Sequence, residues 1–172
     1  ITAKFQHDNH VAYDPDTEVI VTASGKLALY MTLATMIEPG DEVLYFDPAW
    51  VSYEPMIRML DGIPVDVPLR PEDNFLLDGD VLKSRITPRT KAMILNSPNN
   101  PTGRVLTRDE LNIVARSAQE HGFWVLSDEI YEHIIYDKHQ HISLAALPGM
   151  RDLTVTLNGM SKAYAMTGWR LG

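Results

Sequence analysis

Short apolar runs rich in β-branched residues recur along the chain, and most neighbouring runs are separated by a segment long enough to hold a helix. The runs are 18–22 (EVIVT), 42–46 (EVLYF), 63–67 (IPVDV), 91–95 (KAMIL), 123–126 (FWVL), 153–157 (LTVTL) and 168–172 (GWRLG). The intervening segments include LALYMTLATMI, closed by Pro39-Gly40, WVSYEPMIRML, closed by Gly62, and a short helix over 81–86. A further helix follows Thr107-Arg-Asp-Glu110, which has capping-box spacing and leads apolar positions Leu111, Val114, Ala115 and Ala118. Strands joined by helical crossovers lie parallel, so the pattern predicts an α/β fold with a mainly parallel sheet. The last connection, 158–167, is too short for a parallel crossover of about a dozen residues, so the final strand is expected to run antiparallel.

At 172 residues, 45% of them apolar, the chain can bury one sizeable core and reads as one domain. A net charge of −8 argues against nucleic-acid and anionic-membrane partners, which demand clustered Lys and Arg. There is no cysteine, which excludes disulfides and thiolate metal sites. No run is long enough to span a membrane and no signal-peptide pattern opens the chain, so a soluble, cytoplasmic protein is expected. The chain begins at Ile1 inside a helix-like stretch and stops at Gly172 as a strand begins, the pattern of a piece of a longer protein.

Polar groups cluster where a parallel sheet collects its ligands, just past the carboxyl ends of its strands. After 153–157 come Ser161 and Lys162, with Arg170 eight residues further on. A poorly hydrated lysine there would be a neutral nucleophile able to form a Schiff base, and the arginine is a fixed cation suited to phosphate. The structural alternative is that Lys162 caps a strand end and Arg170 pairs with a surface carboxylate. Ser24-Gly25-Lys26 makes a small turn from strand to helix whose free N–H groups could receive an anion, or it is an ordinary connection. Trp50 follows another strand end, as a planar platform or as core filling. The stretch 96–103 (NSPNNPTG) cannot be regular structure and is either a rigid binding loop or a helix lead-in. Asp128, directly after the most apolar strand, needs a cationic partner, and Tyr131 faces the same side if the chain turns helically. His139 and His141 have metal-type chemistry without a third ligand and read as a surface loop, so no metal site is expected.

The segment S-K-x-x-x-M-T-G-W-R at 161–170 resembles the cofactor-lysine signature of class I/II aminotransferases, the pyridoxal-phosphate enzymes of the aspartate aminotransferase fold. S-G-K at 24–26, D-P-A-W at 47–50, N-S-P-N-N-P-T-G at 96–103 and S-D-E-I-Y at 127–131 resemble the family's other motifs, in its order, over essentially the whole chain. The resemblance implies a three-layer α/β/α large domain with a seven-stranded sheet, one strand reversed, over 1–172, with a leading segment and a C-terminal small domain missing. It implies pyridoxal 5′-phosphate bound as a Schiff base to Lys162. The cofactor phosphate would be held by Arg170 and the turn Ser24, Gly25 and Lys26, with Trp50 stacked on the ring. Asn100 and Tyr131 would hydrogen-bond its phenolic oxygen, and Asp128 would pair with its ring nitrogen. Aspartate-specific relatives carry a hydroxyl residue three before the lysine; this chain has Gly159 there, which leaves Ser161 as the hydroxyl on offer. The implied activity is amino transfer between an amino acid and a 2-oxo acid, in a homodimer. Two alternatives share the scaffold: an elimination-type lyase, and an aminotransferase-like sensor domain of a transcription regulator. The substrate-carboxylate arginine is expected outside this segment.

Overall fold

A computed structural model describes residues 1–172. The chain opens on a helical turn, α1 (Thr2–Lys4), continued by wider turns over Phe5–Asn9. The principal elements that follow are α2 (Gly25–Met36), β1 (Glu42–Asp47), α3 (Tyr53–Met59), β2 (Ile63–Pro68), α4 (Gly79–Arg85), β3 (Thr90–Asn96), α5 (Arg108–His121), β4 (Trp124–Asp128) and β5 (Thr154–Leu157). The five strands form one sheet in the order β2-β1-β3-β4-β5, and every pair is parallel. Successive residues of a strand face opposite sides. Leu44, Phe46, Met93, Leu95 and Val125 therefore pack on one face with Leu82 of α4 and Leu111, Val114 and Ala118 of α5. Val43, Ala92, Ile94, Leu126 and Leu157 pack on the other with Leu29 and Leu33 of α2 and Met56 and Ile57 of α3. The result is the expected three-layer α/β/α arrangement.

Two expected strands do not form. Segment 18–22 leaves Ile20 and Val21 exposed, and segment 168–172 turns as a 3-10 helix at Thr167–Trp169 before Arg170 adopts a left-handed conformation with φ 55°. A β-rich run becomes a strand only where a neighbour offers its ladder, and here the two segments meet at one point. Thr22 and Gly172 donate N–H groups to each other's carbonyls at 2.7 and 3.0 Å, a single antiparallel exchange in place of the reversed strand. The sheet therefore has five strands rather than seven.

Local chemistry sets the element ends. The Thr107 hydroxyl accepts from the Glu110 N–H while the Glu110 side chain accepts from the Thr107 N–H, and Gly122 closes α5 at φ 73°. Buried Glu110 also accepts from Arg104 and from the Leu77 N–H, tying the loop before α4 to α5. No helix is long and apolar enough to cross a membrane.

The order of the strands creates a switch point. The chain passes from β1 outward to β2, then returns to the other side of β1 for β3, β4 and β5, so the connections beyond the ends of β1 and β3 diverge and open a crevice.

Gly62, at the tight junction between α3 and β2, is buried, and a β-carbon there would lie 2.9 Å from Ile37 Cδ1, 3.0 Å from Ile57 Cγ2 and 3.2 Å from the Ile57 carbonyl oxygen. Gly62→Ala is expected to destabilise the protein by about 1–3 kcal/mol through overpacking, measured by denaturant unfolding; an unchanged midpoint would contradict it.

Candidate functional site

A cleft of about 230 Å³ opens at that switch point. It is lined by all ten residues singled out from the sequence: Ser24, Gly25 and Lys26 from the cap and start of α2, Trp50 beyond β1, Asn100 beyond β3, Asp128 at the end of β4 and Tyr131 beyond it, and Ser161, Lys162 and Arg170 beyond β5.

The start of α2 presents unpaired helix-end N–H groups. Ser24 caps the helix, its hydroxyl accepting from the Leu27 N–H at 3.3 Å, while the first N–H groups of the helix, those of Gly25 and Lys26, have no partner within it. Ser24 sits at φ 115°, ψ 155°, a region that is essentially glycine's own. Arg170 lines the same cleft, with one guanidinium N–H donated to the Thr167 carbonyl at 2.7 Å.

At the floor, Asn96 and Asp128 are register partners at the ends of β3 and β4. The Asn96 amide donates to the Asp128 carbonyl at 2.9 Å, and its oxygen accepts the Asn100 N–H at 2.7 Å, so one side chain fixes both the acid and the loop that carries Asn100. That loop braces itself: Asn99 Oδ1 accepts from the N–H and hydroxyl of Thr102, and Ser97 Oγ accepts the Leu106 N–H. Of the two readings of this stretch, the structure shows a loop braced by its own hydrogen bonds.

Asp128 has no cationic partner in this chain. One carboxylate oxygen accepts the Tyr53 hydroxyl at 2.7 Å and the other the Ile130 N–H at 3.3 Å. Burial pushes its carboxyl above the ordinary aspartate range, and these two donors only partly restrain the shift. Burial and the neighbouring Asp128 charge push the Tyr53 phenol well above its ordinary value, which keeps it a proton donor. Tyr53, 2% exposed, was absent from the sequence-derived set, because a tyrosine inside an apolar helix reads as core and its partner lies 75 residues away. Its ring also meets Trp50 edge to face at 5.4 Å.

Two expectations need correction. Lys162 is exposed rather than shielded from water: the segment after β5 forms open turns with little packed over them, and its ammonium lies 5.6 Å from the centre of the Tyr131 ring. The pair His139 and His141 is not a surface loop throughout. His139 is exposed, but His141 is only 10% exposed and its Nε2 lies 2.9 Å from Glu129, with Glu132 close by as a third group. Trp50, for its part, carries the Lys26 ammonium 4.8 Å from its ring centre.

The family model described as aminotransferase class I and II matches residues 1–172. The chain belongs to the class I and II aminotransferases. It is 45% identical to the aspartate aminotransferase of Musicola paradisiaca, over all of this chain and 43% of that protein. Among solved structures, an aromatic aminotransferase from Pyrococcus horikoshii is similar with TM-score 0.97 and 47% identity, over 99% of this chain and 46% of that one. The aspartate aminotransferase from Thermus thermophilus with maleate is similar with TM-score 0.95 and 45% identity, over 99% and 44%. The chain thus spans less than half the length of these aminotransferases.

Ser24 should show the cost of its conformation. Ser24→Ala loses the cap and keeps the strain, whereas Ser24→Gly loses the cap and relieves it, so the glycine variant should be more stable by about 1 kcal/mol or more in thermal unfolding. Asp128 should show a pH dependence. Its raised carboxyl contributes a penalty that is absent below the ordinary value of 3.8 and grows as pH rises through the folded-state value. Asp128→Asn should therefore stabilise the cofactor-free protein at neutral pH, with the gain vanishing as pH falls toward 3.8; a gain independent of pH would exclude this origin.

Proposed function

We propose that this chain is the cofactor-binding part of a pyridoxal-phosphate-dependent aminotransferase, moving an amino group between an amino acid and a 2-oxo acid. The observation that carries the reading is Asp128: a carboxylate at the floor of a cleft, raised by burial and lacking any cationic partner among 172 residues, suits a protonated ring nitrogen. The rest of the donor set fits the same group. The free N–H groups of Gly25 and Lys26 and the Arg170 guanidinium would hold its phosphate, with the Ser161 hydroxyl within the same cleft. Trp50 offers a ring face, from which the Lys26 ammonium would have to withdraw. Asn100 and Tyr131 would donate to the phenolic oxygen.

When bound, pyridoxal phosphate supplies an aldehyde for an amine and an electron-poor ring that stabilises charge at the substrate Cα. Asp128 would hold the ring nitrogen protonated, and Tyr53 and Asn96 hold Asp128 in place. Lys162 would anchor the group through Nζ, and as a free amine Nζ would be the general base available to the substrate Cα–H. The exposure of Lys162 supports a site that is closed by further protein, since a base works best in a site cleared of water. Exposed Ile20, Val21 and Trp169 support the same view and are consistent with a homodimer. Amino acids and 2-oxo acids share an α-carboxylate, which calls for a bidentate arginine; Arg170, the arginine that lines the cleft, is committed to phosphate, so the substrate grip belongs to protein beyond these residues.

Borohydride reduction in the presence of pyridoxal phosphate should fix the cofactor on Lys162, identified by peptide mass spectrometry, and Lys162→Ala should abolish the adduct. Cofactor found on Lys26 instead would overturn the assignment. The 172 residues alone should show no amino transfer with a panel of amino acids.

A further inference from the structure

Beside the cleft lining, reached through Asn158, lies a cluster of buried charge that the proposed chemistry does not use. Glu129 and Glu132 are 1% and 6% exposed. Glu129 accepts from Ser127 and Ser143 on one oxygen and is bonded by Asn9 and His141 at the other. Glu132 accepts from Lys4 and Asn158 on one oxygen and from Asn9 on the other. Glu129, Glu132 and His141 stand close enough to suggest a metal centre, but every carboxylate oxygen is already engaged and Lys4 supplies the counter-charge. The cluster is a hydrogen-bonded framework, and one of its strands of contact leads into the cleft.

That contact is Asn158, the residue immediately after β5 and itself a wall of the cleft. Its amide nitrogen donates to Glu132, and its oxygen accepts the Gly159 N–H at 2.7 Å. The turn is confined: a β-carbon on Gly159 would meet both Ile130 Cδ1 and the Leu171 carbonyl oxygen at 3.0 Å, and the Met160 N–H donates to that same carbonyl at 3.1 Å. From this turn Ser161 and Lys162 enter the cleft.

We infer that Glu132 is a positioning residue for Lys162, acting through Asn158: the anchored carboxylate fixes the Asn158 amide, which fixes the Gly159 turn and so the origin of the lysine side chain. The inference rests on the reading of Lys162 as the cofactor-binding amine. Glu132 is suited to the task because its charge is secured. Burial opposes ionisation, but hydrogen bonds from Lys4, Asn9 and Asn158, with the Lys4 charge, outweigh burial and hold the carboxyl below its usual range. Charge-assisted bonds of this kind are stronger and shorter than neutral ones. Glu132 also follows Tyr131 in sequence, so one buried carboxylate pins the backbone beneath two cleft residues contributed by β4 and β5. Lys4 and Asn9 extend the chain of contacts to the N-terminal segment, 128 and 123 residues away in sequence.

Three readouts test this on the whole chain. The first is amide exchange at Gly159 in the cofactor-free protein; the second is the labelling rate of Lys162 by acetic anhydride, also without cofactor; the third is the rate at which borohydride fixes pyridoxal phosphate on Lys162. Glu132→Gln should speed Gly159 exchange by about tenfold, the ratio expected for loss of one charged hydrogen bond, with core amides of α5 unchanged. It should change the Lys162 labelling rate and slow cofactor fixation. Asn158→Ala, which leaves the contact between Glu132 and Lys4 intact, should do the same, and it decides the matter if Glu132→Gln loosens α5 as well. Faster Gly159 exchange with unchanged Lys162 labelling and fixation would reduce Glu132 to a structural role and overturn the inference, as would unchanged Gly159 exchange in both variants. Failure of the wild-type chain to fix cofactor on Lys162 would refute the functional reading, while the first two readouts would still judge the contact between Glu132 and Asn158.

Discussion

The pairing of β3 with β4 is the constraint on which the cleft depends. Because these strands run parallel and in register, Asn96 and Asp128 end side by side, and the Asn96 amide can tie the acid's backbone to the loop that carries Asn100. Slip β4 by one residue against β3 and the Asp128 side chain would turn to the opposite face of the sheet, away from Asn96 and its loop. The two apolar layers on either face set that register, since each strand's alternate residues are claimed by different helices.

Acids withdrawn wholly or partly from solvent are the second recurring element, and three of them are served differently. Glu110 is satisfied by an arginine and by backbone N–H groups and holds a helix to a loop. Glu132 is satisfied by a lysine and two asparagines and holds a turn. Asp128 receives one hydroxyl and one backbone N–H, and no positive charge. An acid that the fold leaves incompletely compensated is a candidate for business with a ligand, and the contrast with the well-served Glu110 and Glu132 makes the case stronger than burial alone.

The five inner strands and the capped helix α5 were legible in the sequence because their signals are local: a β-branched run, a Thr-x-x-Glu box, a closing glycine. The outer strands at 18–22 and 168–172 were over-read, because composition announces a strand but only a neighbour can complete one, and Arg170 turns left-handed where extension was expected. Motif wording located ten of the residues that line the cleft, yet it gave no role to Tyr53, to Asn158 or to Asn96 at the head of its own motif, whose importance lies in what they hold. Contacts such as Lys4 with Glu132, 128 residues apart, and His141 with Glu129 leave no periodic trace in the chain. The exposure of Lys162 likewise depends on what covers the last turns, which no local pattern encodes.

Tyr53 belongs to both worlds: its ring packs in the apolar layer beneath α2 and α3, while its hydroxyl reaches the cleft acid. Several other cleft residues, such as Lys162 and Arg170, sit on exposed turns with little part in the packed layers, so such a scaffold can change its preferences over evolutionary time while its framework stays the same. Position 53 lacks that freedom. Any replacement must at once fill the same volume and present a donor at the same height, so lineages that retune the acid are expected to do so by exchanging one donor-bearing ring for another rather than by abandoning the contact.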